Sequence, residues 1–154
     1  MPPRVSVYTT LPTPFPGLRK LLRAALHFVL EREGVRQGTI RLILTDDATI
    51  QALNRQFLQH DYPTDVLTFV LEDQPLQVEI YIGSEQAYRQ AAEYGVTVQE
   101  ELVRLSIHGV LHALGYDDQT PEQRQRMEER QEYYLHHFLR SLQPSKPPSS
   151  STPP

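Results

Sequence analysis

Two histidines four residues apart, followed six residues later by a carboxylate, stand in the run His108-Gly-Val-Leu-His112-Ala-Leu-Gly115-Tyr-Asp-Asp118. On a helix an i, i+4 spacing turns through only ~40° net, so both imidazoles leave one face and point toward one place. One divalent ion can bridge them. Gly115 suits the left-handed backbone that ends many helices, and the chain beyond it can fold back over the same face. Asp118 then supplies a third ligand, with Asp117 as its competitor. Two histidines and one carboxylate leave a coordination position open, as a catalytic metal site does and a closed structural site does not. A histidine pair at this spacing also arises by chance in many helices. The flanking Leu102, Val103, Leu105, Ile107, Val110, Leu111, Ala113 and Leu114 add weight, because they make the helix apolar almost all round and therefore expected to be buried. Two buried imidazoles need partners, and a metal satisfies both.

The helix is similar to that of the zincins, with one departure. Where His-Glu-x-x-His places its general base, this chain has Gly109, which argues against a metalloprotease. A glycine there leaves room for a bulky substrate or for a closely packed neighbouring backbone. Proton transfer must then come from metal-activated water or from another segment.

The run resembles the signature His-Gly-x-Leu-His-x-x-Gly-Tyr-Asp-His of the YbeY family of bacterial endoribonucleases, also called rRNA maturation factors. A second block agrees: Asp46-Asp47-Ala-Thr-Ile-Gln-Ala-Leu53-Asn54, then Asp61-Tyr-Pro63-Thr64-Asp65-Val66-Leu67-Thr68-Phe69, is similar to that family's Leu-Asn and Asp-x-Pro-Thr-Asp-Val-Leu-Ser-Phe segments. A third block, Val78-Glu79-Ile80-Tyr81-Ile82-Gly83-Ser84, falls where the family has Gly-Asp-Ile before its last strand. Together they cover roughly residues 40 to 135.

The resemblance implies a metal-dependent, single-strand-specific endoribonuclease acting in rRNA processing and ribosome quality control. It puts His108, His112 and Asp118 in the metal-ligand and catalytic positions and leaves Asp117 to orient its neighbours or form the turn. The implied cofactor is one divalent ion, zinc first, with manganese or iron as alternatives. The implied partners are rRNA precursors and the ribosomal small subunit or its proteins.

Two positions depart from the family pattern. Asp118 replaces a histidine, which keeps the reach of the ligand but adds negative charge, weakening the Lewis acid and tilting the site toward manganese or ferrous iron. Leu58 stands where the family carries an arginine whose planar fork could hold phosphate. Arg55, one turn earlier, is the substitute, and Arg55, Asp65 and His60 form the expected substrate-binding set. Thr64 reads as turn chemistry, and Asp65 divides between that and the cleft wall. Two other functions remain open: a non-catalytic ribosome-assembly factor that keeps the metal, and a metal-dependent hydrolase of a non-nucleic substrate.

Composition bounds the rest. The chain has 154 residues, 39% of them hydrophobic, with no long apolar run, which points to one globular domain over residues 1–142. Residues 143–154, rich in proline and serine, read as a disordered tail. There is no cysteine, so disulfides and thiolate ligands are excluded, and Met-Pro-Pro-Arg-Val-Ser-Val-Tyr lacks the features of a secretory signal, making cytoplasm the expected compartment. A formal net charge of −4 argues against broad nucleic-acid affinity, so RNA would need a local basic patch. Arg19, Lys20 and Arg23 offer one. Arg124, Arg126 and Arg130 are interspersed with Glu122, Glu128, Glu129 and Glu132 and read as a solvated helix face. His27, His136 and His137 lack ligand spacing and read as surface residues.

The pattern predicts strands over Val5–Thr9, Ile40–Thr45, Val66–Leu71 and Val78–Ile82, the last two joined by a turn at Asp73–Pro75. A helix carrying Leu18, Leu21, Leu22, Ala25, Phe28 and Val29 follows the first strand. A short one capped by Asp46 or Asp47 places Ile50, Leu53 and Phe57 at helical spacing. Ser84 is expected to cap a helix ending at Gly95, and Thr97 with Glu100 to form a capping box opening the histidine helix. Thr120-Pro121-Glu122-Gln123 repeats that device for a last helix with Met127, Tyr134, Leu135, Phe138 and Leu142 as its buried stripe. The fold class is α+β: a small mixed sheet of about four strands covered by about five helices, with a zincin-like metal helix.

Overall fold

The computed structural model describes residues 2–12, 15–58 and 64–143. His60, the side chain of Leu58 and the expected tail from residue 144 onward lie outside the described residues. The elements run β1 (Arg4–Thr9), α1 (Leu18–Arg32), β2 (Gly38–Thr45), α2 (Asp47–Leu58), β3 (Val66–Asp73), β4 (Leu76–Gly83), α3 (Ser84–Tyr94), α4 (Val98–Ala113) and α5 (Pro121–Ser141). Among the described residues this is the α+β arrangement of about four strands and five helices that the pattern predicts.

The sheet order is β1-β2-β4-β3. β1, β2 and β4 are parallel, and β3 pairs antiparallel with β4, so the sheet is mixed and β3 is an edge strand. Alternation sends Val5 and Val7, Ile40, Leu42 and Leu44, and Val78, Ile80 and Ile82 to one face, where all are buried. α4 packs on that face against β3 and β4 and is itself flanked by α1, α3 and α5. It is the central helix of the domain. The outward face carries the Arg41–Glu79 ion pair (3.7 Å) and an edge-to-face series from Phe57 of α2 to Phe69 (5.7 Å) and on to Tyr81 (5.8 Å).

Several local expectations change. The Asp46 carboxylate accepts the Thr49 N–H (2.7 Å) and so caps α2, while Asp47 pairs with Arg89 at 2.6 Å. Ser84 is the first helical residue of α3 rather than its cap, because β4 runs pairing with β2 through Gly83, which occupies the N-cap position itself. Thr97 accepts the Glu100 N–H (3.0 Å), but the Glu100 carboxylate turns to Arg104 (3.3 Å), so the reciprocal half of that box gives way to an ion pair. The Thr120–Gln123 box forms in full. In α5 the stripe ends at Phe138, and Leu142, past the helix, is 51% exposed. Phe57 is likewise exposed, seated on Phe69 at the sheet margin rather than in the core.

Candidate active site

α4 ends in a Schellman arrangement. The Tyr116 N–H reaches the Leu111 carbonyl (3.1 Å), the Gly115 N–H reaches that of His112 (3.1 Å), and Gly115 takes φ 104°. Glycine is required at that backbone angle. The reversal carries Tyr116, Asp117 and Asp118 back beside the last turns of α4, as the spacing predicts. A cleft of about 710 Å³ opens there, bounded by β3 at Val66–Thr68, by His108 and His112, and by the loop from Gly115 to Gln119.

His108 and His112 therefore share one cleft with Asp117 and Asp118. Neither imidazole is buried as the apolar helix suggested: His108 is half-buried and His112 exposed. Both open onto the cleft, while Gly109, on the neighbouring face of α4, lies against the sheet. A Cβ there would stand 2.6 Å from Ile80 Cγ2, and the Gly109 carbonyl accepts the Thr68 hydroxyl at 3.2 Å. The glycine thus serves close helix–sheet packing, and the room it provides is filled by Ile80 instead of substrate.

The loop is braced from outside. Asp117 Oδ1 accepts the Asp118 N–H (2.9 Å), a turn-forming role, and Arg124 donates to the Asp118 carbonyl (3.2 Å). Tyr116 donates to Glu33 (3.0 Å) and accepts from Arg130 (3.1 Å), and Glu33 also receives Arg130 (3.3 Å) and the Tyr134 hydroxyl. Burial, followed by the bond to Glu33, pushes the Tyr134 phenol up, so it stays a donor. Arg124 and Arg130 are thus structural braces of the loop, not simply part of a solvated face.

Behind His108 lies a second recess of about 490 Å³ that includes Asp65, Gln90, Glu101, Arg104, Gln131 and Glu132. His108 Nδ1 lies 2.8 Å from Gln131 Oε1. Arg104 binds Glu132 (3.0 Å), the buried Glu101 (2.7 Å) and Glu100 (3.3 Å). Asp65 belongs to this recess, its carboxylate accepting from Gln90 at 3.2 Å. Arg55 is exposed on the last turn of α2 and lines neither recess. Sequence reasoning missed Gln131 and Arg104 and read Glu132 as part of a solvated face; charge patterning was a signal for Arg104 and Glu132, and Gln131 had none.

Among the described residues, no three His, Asp or Glu side chains stand as a group that could hold a metal ion. The donors line one cleft without being drawn together. Their chemistry still suits a divalent cation, for among the described residues the lining contains two imidazoles and two carboxylates and neither lysine nor arginine.

A mixed four-stranded sheet, a central helix bearing two histidines on one cleft and a carboxylate loop folded back over it define a hydrolase-like α+β domain. The family model described as Endoribonuclease YbeY matches residues 10–139. Relatives named Endoribonuclease YbeY include one from Chlorobaculum parvum, 40% identical over 75% of this chain and 82% of its own length. Another, from Pelotomaculum thermopropionicum, is 41% identical over 77% and 85%. The solution structure of TM1509 from Thermotoga maritima superposes with a TM-score of 0.66 at 29% identity, covering 97% of each chain. The chain belongs to the endoribonuclease YbeY family.

Proposed function

We propose that this member of the family cuts single-stranded RNA, in rRNA maturation and ribosome quality control, with a divalent ion held by His108, His112 and Asp118. The observation that carries the reading is the lining of the cleft. Among the described residues the space between β3 and α4 is lined by two imidazoles and two carboxylates, with no lysine or arginine, so the carboxylates repel a phosphodiester entering there unless a cation is bound. Zinc is the first candidate, with manganese or iron as alternatives.

When bound, the ion supplies Lewis-acid polarisation of a phosphate oxygen. The protein's own work is positional. His108 and His112 offer ring nitrogens from adjacent turns of one helix, and Asp118 adds a charged oxygen from a loop braced by Asp117, Tyr116 and Arg124. Asp117 stays with the backbone turn. β3 at Val66–Thr68 forms the opposite wall, against which the single strand is proposed to lie. Arg55, His60 and Asp65 are proposed to contact the RNA beyond the cut bond, and the ribosomal small subunit is the proposed context, in the cytoplasm. Among the described residues no helix is long and apolar enough to cross a membrane.

The test combines metal analysis with cleavage of single-stranded and duplex RNA. His112→Ala and Asp118→Ala should lose metal and lower single-strand cleavage by at least about a hundredfold, whereas Asp117→Ala should keep most of its metal. Metal retained in Asp118→Ala and lost in Asp117→Ala reassigns the third ligand. Undiminished cleavage in His112→Ala removes the metal mechanism.

A further inference from the structure

We propose that Gln131 is a positioning residue that fixes His108 in the tautomer presenting Nε2 to the cleft. The chain of bonds that holds it begins at Arg104. Its guanidinium holds Glu132 through Nε at 3.0 Å and Nη2 at 3.3 Å. Burial works to raise the Glu132 carboxyl, but the bonds from Arg104 and Gln131 outweigh it and hold the group below its ordinary range. Glu132 is therefore ionised at neutral pH and can only accept.

That settles the amide of Gln131. Its Nε2 donates to Glu132 Oε2 at 3.1 Å, so the amide oxygen must be the end that faces His108. An amide oxygen only accepts, and His108 Nδ1 lies 2.8 Å from it. Nδ1 must then carry the proton, and a neutral imidazole protonated at Nδ1 keeps its lone pair on Nε2. His108 is the wall shared by the two recesses: Gln131 occupies the rear one, and the cleft with His112 and Asp118 lies on the other side. The chain Arg104, Glu132, Gln131, His108 thus turns a half-buried ion pair into a choice of ring nitrogen. Histidine ligands of metals are oriented in this way by an acceptor on the far nitrogen. The same chain ties α5 to α4 across 23 residues of sequence, which is why no spacing rule reveals it.

The tautomer claim stands on these bonds alone. Its consequence for metal affinity rests on the metal reading proposed above. Long-range proton–nitrogen NMR on the metal-free full chain at slightly alkaline pH reads the first, and calorimetric titration with zinc reads the second. In the wild type, His108 should show Nδ1 protonated and Nε2 bare. Gln131→Leu, which keeps the bulk but removes the acceptor, should shift His108 toward the Nε2-protonated form that free imidazole side chains prefer. It should also weaken zinc binding about 10- to 100-fold. Gln131→Glu keeps the acceptor and should restore both readouts, which a merely structural cross-link between helices would not require. An unchanged tautomer in a folded Gln131→Leu, or a wild type protonated at Nε2, overturns the proposal. The expected tautomers with no zinc binding in the wild type support the positioning role and sink the metal reading instead.

Discussion

Gly109 shows how one missing methyl group sets the depth at which α4 lies on the sheet. The ideal Cβ would meet Ile80 Cγ2 at 2.6 Å, with Ile80 Cδ1 and Thr68 Oγ1 both at 3.4 Å, and Ile80 is fully buried and has nowhere to withdraw. Gly109→Ala should therefore destabilise the fold by about 1–3 kcal/mol, as overpacking a dense core does. Urea denaturation checks it. Pairing Gly109→Ala with Ile80→Ala should cost less than the two single losses added, because each relieves the other's defect. Additive losses would mean that Ile80 is not what the methyl meets. At this scale the sequence was informative where chemistry repeats with helical period. His108 and His112 were legible from spacing, and Gly115 from its place after the apolar run. Gln131 was not, since an amide carries no motif and its partner lies on another helix. The burial of the histidines was misjudged, because an all-round apolar helix does not say which of its turns projects past the sheet edge.

Between elements, the Arg104 cluster clamps α5 to α4 while Glu132 holds the Gln131 amide. Glu101 is 2% exposed, and burial pushes its carboxyl up from the ordinary 4.5, against the downward pull of Arg104. A raised acid stabilises the fold below its unfolded value and loses that contribution as pH climbs through the folded one. Glu132, held down, works the opposite way and loses its contribution as pH falls through its folded value. Arg104→Met removes the cation that makes both charges tolerable. Glu101 then rises further and Glu132 loses its depression, so the damage should be greatest at neutral pH, about 2–3 kcal/mol after discounting for partial exposure. It should shrink as pH falls toward and through the glutamate range, beginning above 4.5 because Glu101 is raised. Thermal melts of both proteins across that range provide the check, and a destabilisation independent of pH would show that the loss is packing alone. The helices themselves were readable from periodicity and caps. Corrections came where a neighbour competed for the capping group: Arg104 took Glu100, and strand pairing used Gly83.

For the whole molecule, the class of fold was legible, but the order β1-β2-β4-β3 was not, because alternation says which residues face inward and not which strand lies beside which. That order makes β3 an edge among the described strands, and the cleft opens between it and the end of α4. Charge is the other global property. With a net charge of −4 and a cleft whose described lining has no lysine or arginine, RNA binding calls for a local basic patch. Arg19, Lys20 and Arg23 are all exposed on α1. If they hold phosphates, binding should weaken with salt by a slope of about 0.7 per contact, the value for single strands. Changing all three to serine should then flatten the slope by about 2. Fluorescence anisotropy over a salt series, in the His112→Ala background so that the RNA stays intact, makes the comparison. A slope that does not move when the three charges are removed would mean that the strand approaches the cleft without touching α1.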